Sequence, residues 1–174
     1  GTTNFAHGLR QFCVSIAFAS DDEILVGIVL APLLDELFIG IRGQGAALNG
    51  TPIAVSSTRT LVDSLLVTGF PYDHHTIFDA LMRRFSDCLK ATQGVRRLGA
   101  AALDLCYVAS GRFDGFWEQH LNPWDTAAGY VVASEAGART TDFSNAPYSI
   151  FEKEIVCTNG IIHDELIHLL EHKD

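Results

Sequence analysis

Asp125 stands in the stretch NPWDTAAGYVVASEAG, two residues after Pro123. Proline in a first turn and Gly137 as a stop mark a helix between them, with Asp125 near its start. There the free N–H groups and the macrodipole favour negative charge. Two readings follow: an acid that completes the helix end, or a rigid carboxylate held outward as a magnesium ligand. Magnesium takes six oxygens and seldom relies on one carboxylate. The second reading therefore needs acidic partners, and no D-x-D or E-E pair elsewhere supplies them.

Glu118 lies seven residues earlier, at the end of the strand-like run RFDGFWEQ. Facing the same cleft, it would accept hydrogen bonds from a polyol; facing away, it is a solvated loop acid. Gly1, Thr2 and Thr3 open the chain in GTTN. Backbone N–H groups beside a glycine and two hydroxyls suit a phosphate if a helix follows, and a frayed end otherwise. His168 and His172 are four apart, but H-E-x-x-H is absent and a last helical turn attracts cationic side chains anyway. They read as surface residues. His74 and His75 read as a helix N-terminus, and His7 and His120 as candidates to line a cleft.

The elements that must position these groups change character along the chain. FCVSIAFAS, EILVGIVLAP and DELFIGIRG are short apolar runs ended by Gly, Asp or Pro, the pattern of a meandering antiparallel sheet. GQGAALNGTPIAVS reads as a glycine-rich loop with an Asn-Gly turn, then a short strand. DSLLVTGF is a further strand. From Ile77 to Leu89 apolar residues recur at helical spacing, leaving Arg83, Arg84, Asp87 and Lys90 outside. GVRRLG is extended, and AAALDLCYVASG is a helix closed by Gly111. RFDGFWEQ, ARTTDF and EIVCTN are strands, and IIHDELIHLLEH is a terminal amphipathic helix. Strands mixed with helices in this rhythm predict a layered α/β or α+β sandwich. No G-x-G-x-x-G follows a strand, which argues against a dinucleotide fold.

Composition bounds the rest. A chain of 174 residues with 48% hydrophobic side chains buries a sizeable core. The net charge of -9 repels nucleic acid and anionic membrane, and the only tight basic pairs are Arg83-Arg84 and Arg96-Arg97. Cys13, Cys88, Cys106 and Cys157 are too scattered for a zinc knuckle or a C-x-x-C. They read as free buried thiols, which suits a cytoplasmic protein. The apolar run ILVGIVLAPLL is broken by Gly27 and Pro32 and is too short to span a bilayer.

Two stretches together resemble a known family. GTTNFAHG followed by VSIAF, and NPWDTAAGYVVASEAGA further on, are similar to the two signature segments of the inositol monophosphatase family. GQGAALNG, LLVTGFPYD and RRLGAAALDLCYVASGRFDGFWE match between them, so the resemblance covers essentially the whole chain. It is nearest to the bacterial inositol-1-phosphatase type.

The resemblance implies a layered αβαβα sandwich of the sugar-phosphatase type, incomplete at its N-terminal side, with residues 1–174 one partial domain. The family's first signature is an acidic D-P-x-D-G-T run, and this chain begins at its glycine. Its two aspartates and a metal-binding Glu-Glu segment would lie upstream of Gly1. By the same resemblance Asp125 binds Mg2+, and Thr2 orients the attacking water. Gly1, Thr2 and Thr3 form the phosphate-binding turn. Glu118 contacts substrate hydroxyls, and Gly99, Ala100 and Ala101 line the substrate side. Many members carry Ser or Thr where Ala100 stands, which shifts one substrate contact to backbone.

The implied activity is magnesium-dependent hydrolysis of a small phosphorylated polyol or sugar, inositol 1-phosphate first, by a homodimer. Histidinol phosphate and nucleotide bisphosphates are alternative substrates, and an inactive folded or oligomerising module is the alternative role. Loss of the upstream part would expose apolar helix-packing surface.

Overall fold

The computed structural model describes every residue except Asp22, Asp73 and residues 172–174. After a short helix α1 (Thr2–Ala6), the apolar runs of the first third form a five-stranded antiparallel meander. Its strands are β1 (Val14–Ser20), β2 (Glu23–Ala31), β3 (Glu36–Ile41), β4 (Gly45–Leu48) and β5 (Thr51–Pro52), in that order. The stretch expected as a glycine-rich loop is thus partly strand β4, with Ala46 and Ala47 opposite Gly40 and Ile39. Gly43 and Gly45, at φ 72° and 85°, make the turn before it. The strand expected next shrinks to Thr51–Pro52. Beyond it, Ile53 and Val55 only donate single bonds to the Ala46 and Ala136 carbonyls.

The second half builds a mixed sheet in the order β7-β6-β8-β10-β9. Its strands are β6 (Leu65–Thr68), β7 (Gly94–Arg96), β8 (Gly115–Gln119), β9 (Arg139–Thr141) and β10 (Glu154–Thr158). β6 runs parallel to β7 and β8, and the remaining pairs are antiparallel. Side chains alternate across this sheet. Val67, Phe116, Ile155 and Cys157 join one core with α3 (Ala101–Ala109). Leu66, Trp117 and Val156 join a second core with α2 (Phe78–Ala91) and α5 (His163–Leu170). α3 packs on α4 (Pro123–Glu135), and α4 lies against β1 to β4. The layers therefore run sheet, helix pair, sheet, helix pair. Cys88, Cys106 and Cys157 are buried and Cys13 partly so, all as free thiols.

Among the described residues the outer face of the first sheet is only partly covered. Directly opposed residues share a face, which groups Val14, Ile16 and Phe18 of β1 with Leu30, Ile28 and Val26 of β2. Leu37, Ile39 and Ile41 of β3 extend the same row. None of these nine is buried, and Val14, Ile16 and Phe18 are 51%, 57% and 60% exposed. No helix among the described residues is long and apolar enough to cross a membrane.

His163 joins three elements under the second core. Its Nε2 lies 2.9 Å from Thr141 Oγ1 and its Nδ1 2.9 Å from Thr158 Oγ1, and the ring is fully buried. Burial lowers its pKa from 6.5 to about 4. The unfolded chain therefore takes up a proton that the folded chain refuses until about pH 4. This contribution is fully favourable above pH 6.5 and is lost as pH falls toward 4. At about 1.4 kcal/mol per unit the loss approaches about 3 kcal/mol. Buried acids titrate with the opposite sign in part of this window, so the measurable quantity is a difference. Urea midpoints of wild type and His163→Asn should converge as pH drops from 7.5 to 4.5. Parallel curves would show that the ring takes up its proton as readily in the fold as in the unfolded chain.

Candidate active site

The C-terminal end of β8 and the N-terminus of α4 enclose a cavity of about 400 Å³. Gly1, Thr2, Phe70, Tyr72, Arg97, Gly99, Ala101, Glu118, His120, Trp124 and Asp125 contribute to its wall. Sites at strand ends and helix starts are common because side chains and free N–H groups converge there. Thr2 begins helix α1, so the helix that the GTTN reading required does follow.

Asp125 sits where its helix position predicts, and the local sequence fixes it further. Its Oδ2 accepts the Asn122 backbone N–H at 2.9 Å, one half of a capping box whose other half is the Asn122 side chain. Lys153 Nζ steadies Asn122 from across the chain, 3.2 Å from Oδ1 and 3.3 Å from the Leu121 carbonyl. One carboxylate oxygen of Asp125 is thus committed to the cap, while the group still borders the cavity. Between β8 and this helix, His120 takes φ 62°, the left-handed turn that swings the chain from strand to helix.

The turn 98–101 is tied to α1 by Asn4, whose Nδ2 donates to the Leu98 and Gln11 carbonyls at 2.7 Å each. Gly99 holds φ 86° there, beside the Arg97 guanidinium. Arg97 lies 5.8 Å over the Phe70 ring. Glu118 is pushed up to about 7 by burial, with Arg97 opposing and Asp125 reinforcing the shift. Asp104, one turn into α3, is fully buried with neither carboxylate oxygen hydrogen-bonded. Burial, reinforced by Glu118, raises its pKa well above the usual carboxylate value.

Of the residues expected at the site, Gly1, Thr2, Gly99, Ala101, Glu118 and Asp125 come together around this cavity. Ala100 borders a smaller adjoining cleft with Gly1, Cys13 and Asp125. Thr3 faces outward, its hydroxyl 3.4 Å from that of Tyr72. Of the two histidines expected to line a cleft, His120 does. His7 is exposed at the end of α1, outside the cavity wall. His168 is exposed, His172 lies outside the described residues, and His74 and His75 form a turn just before α2. Asn4, Phe70, Arg97, Asp104 and Trp124 were not legible as site residues. Arg97 had a signal in the basic pair it forms with Arg96, and a buried acid inside the apolar run AALDLCYVA was a second.

Among the described residues no three His, Cys, Asp or Glu side chains converge as a metal-binding group. The cavity does offer hard oxygen donors, in Asp125 with one oxygen free of the cap and in the Thr2 hydroxyl. That set suits magnesium, which keeps several waters and one or two carboxylates, as a partial shell.

The model of the inositol monophosphatase family matches residues 1–174. The chain is 47% identical over 170 residues to a Synechocystis inositol-1-monophosphatase, covering 98% of this chain and 59% of that one. It is 44% identical over 161 residues to the Nus factor SuhB of Pseudomonas aeruginosa, again covering 59% of it. The solved structure of an Anabaena inositol monophosphatase superposes with a TM-score of 0.94 at 47% identity, over 98% of this chain and 68% of that one. The chain therefore spans about three fifths of the length of these curated relatives.

Proposed function

Because the chain belongs to the inositol monophosphatase family, we propose that it forms the larger part of a magnesium-dependent phosphomonoesterase acting on small polyol or sugar phosphates, inositol 1-phosphate foremost. The observation that carries this reading is one cavity of about 400 Å³ bordered by Thr2, Gly99, Glu118 and Asp125 together. Its volume suits a ligand of that size.

Asp125 would hold magnesium as one of several ligands, the other carboxylates being those that the family resemblance places before Gly1. The bound ion supplies positive charge against the phosphoryl oxygens and lowers the pKa of water. Thr2 and the Gly1 backbone orient the attacking water and one phosphoryl oxygen. Glu118 accepts a hydroxyl hydrogen of the leaving group, and the turn at Gly99 lets the substrate approach the backbone closely. Phe70 adds a half-buried apolar wall to the cavity, and Trp124 borders it while remaining 72% exposed. Histidinol phosphate and nucleotide bisphosphates are the competing substrates, and a homodimer is the assembly this reading carries.

Phosphate release from inositol 1-phosphate tests it, with and without magnesium. The assay uses this chain and a chain extended before Gly1 with the corresponding part of the Synechocystis relative. Magnesium-dependent release by the extended chain supports the reading. No release at saturating magnesium overturns it.

A second reading, a folded module that associates through its surface, is favoured by the nine apolar side chains of the first sheet that are exposed or only partly buried. So large an apolar row marks an interaction surface. Each side chain withdrawn from water contributes about 1.5–3 kcal/mol. Changing Ile16 and Phe18 to Lys should weaken self-association by about a hundredfold or more. Sedimentation velocity across a concentration series reads this, and an unchanged oligomer would place the contact elsewhere.

A further inference from the structure

Gly69 follows β6 immediately, and Glu118 follows Trp117 in the neighbouring parallel strand β8, with Thr68 directly opposite Trp117. The Thr68 hydroxyl donates to the Trp117 carbonyl at 2.7 Å, which locks the two strand ends together. The backbone of Gly69 is not in the left-handed region. Any residue can adopt its conformation, so the backbone does not require glycine here.

Space is what requires it. A Cβ at position 69 would coincide with the Glu118 carboxyl group, whose three carboxyl atoms Cδ, Oε1 and Oε2 are its nearest neighbours. Those atoms end a flexible side chain, so the carboxyl, not the backbone, would move aside. The next residue, Phe70, forms the cavity wall and is braced edge-on by Phe85 at 5.8 Å. Arg97 also lies over its ring. The Glu118 carboxyl therefore lies in a slot whose floor is the bare Cα of Gly69.

We propose that Gly69 is a positioning residue, whose missing side chain sets where the Glu118 carboxylate stands in the cavity and so which leaving groups it can recognise. The substrate half of this statement rests on the phosphatase reading above. The placement half stands on geometry alone. Glu118 would reach leaving-group hydroxyls from this slot, and a methyl group at position 69 would take the place its carboxyl occupies.

Two measurements separate the halves. The first uses the chain as it is, without metal. Carbon-13 resonances of the Glu118 carboxyl, assigned with Glu118→Gln, report its titration in wild type and Gly69→Ala. Displacement into solvent should bring the midpoint down from about 7 by roughly one unit or more. An unchanged midpoint, or a variant that has lost its cooperative melt, overturns the proposal.

The second uses the extended chain. Loss of a hydrogen bond to a substrate hydroxyl should raise KM for inositol 1-phosphate about tenfold. KM for an aryl phosphate, which has no such hydroxyls, should rise several-fold less. Gly69→Ala combined with Glu118→Asp, which retracts the carboxyl by one methylene, should recover part of the loss. Equal rises for both substrates with no recovery overturn the substrate half. If the extended chain hydrolyses nothing, the phosphatase reading fails, and the titration still decides whether Gly69 positions Glu118.

Discussion

Asp125→Asn in the extended chain should leave the fold in place and lower magnesium-dependent phosphate release by about a thousandfold or more. The physical basis is that the residue does two jobs with two atoms. One oxygen caps the Asn122 N–H, and an amide oxygen can still accept that bond. The negative charge facing the cavity is what the substitution removes. Charge stabilisation by a metal at a transferring phosphoryl group is worth several kcal/mol, and each 1.36 kcal/mol is tenfold in rate. Asp125→Ala should add a loss of stability of about 1 kcal/mol, because the cap goes too. The pair thus separates the two readings that the helix position alone left open. Phosphate release over a magnesium titration, with thermal melts alongside, provides the check. An Asn variant that keeps most of its activity would leave Asp125 a helix cap and nothing more.

Gly27→Ala should cost about 3 kcal/mol or more, among the largest losses available to a single methyl group in this fold. Gly27 lies in the middle of β2, where glycine ordinarily weakens a strand. Its face is pressed against α4, and a Cβ there would overlap the Ala128 carbonyl oxygen and backbone. Gly40, paired with Gly27 on β3, meets α4 in the same way: a Cβ there would fall 2.7 Å from Val132 Cα and 2.9 Å from Val132 N. Backbone cannot rotate aside, so the helix that carries Asp125 must lift from the sheet. Calorimetry should show a fall in Tm of about 6–12 °C for a chain of this size. Ala128→Gly should not rescue it, since the obstruction is main chain. Rescue by that change would mean that the methyl groups, not the backbones, were in conflict.

The meander was legible because β1, β2 and β3 are short apolar runs separated by obligate turns. β4 was not, because Gly43, Gly45, Asn49 and Gly50 carry loop chemistry on both sides of Ala46–Leu48. Its pairing with β3 and β5 is what makes that stretch a strand. The helices were legible from their period, and α4 from Pro123 and Gly137 as well. At the site, Asp125 and Glu118 could be singled out by their places at a helix start and a strand end. Arg97, Asp104 and Gly69 could not, since each matters through a neighbour distant in the chain: Phe70, Glu118 and again Glu118.

Local chemistry along the chain therefore decided the types of the elements other than β4, the net charge, the free thiols and the two carboxylates worth following. Those properties follow from side chains acting on their own backbone or on solvent, and nearby residues suffice to state them. The stacking of sheet, helix pair, sheet and helix pair was decided only in three dimensions. So were the exposed apolar row on the first sheet, the burial that lifts Glu118 to about 7, and the slot above Gly69. Each of these depends on how closely two distant segments approach, and close packing sets that distance through the volumes of all the side chains between them.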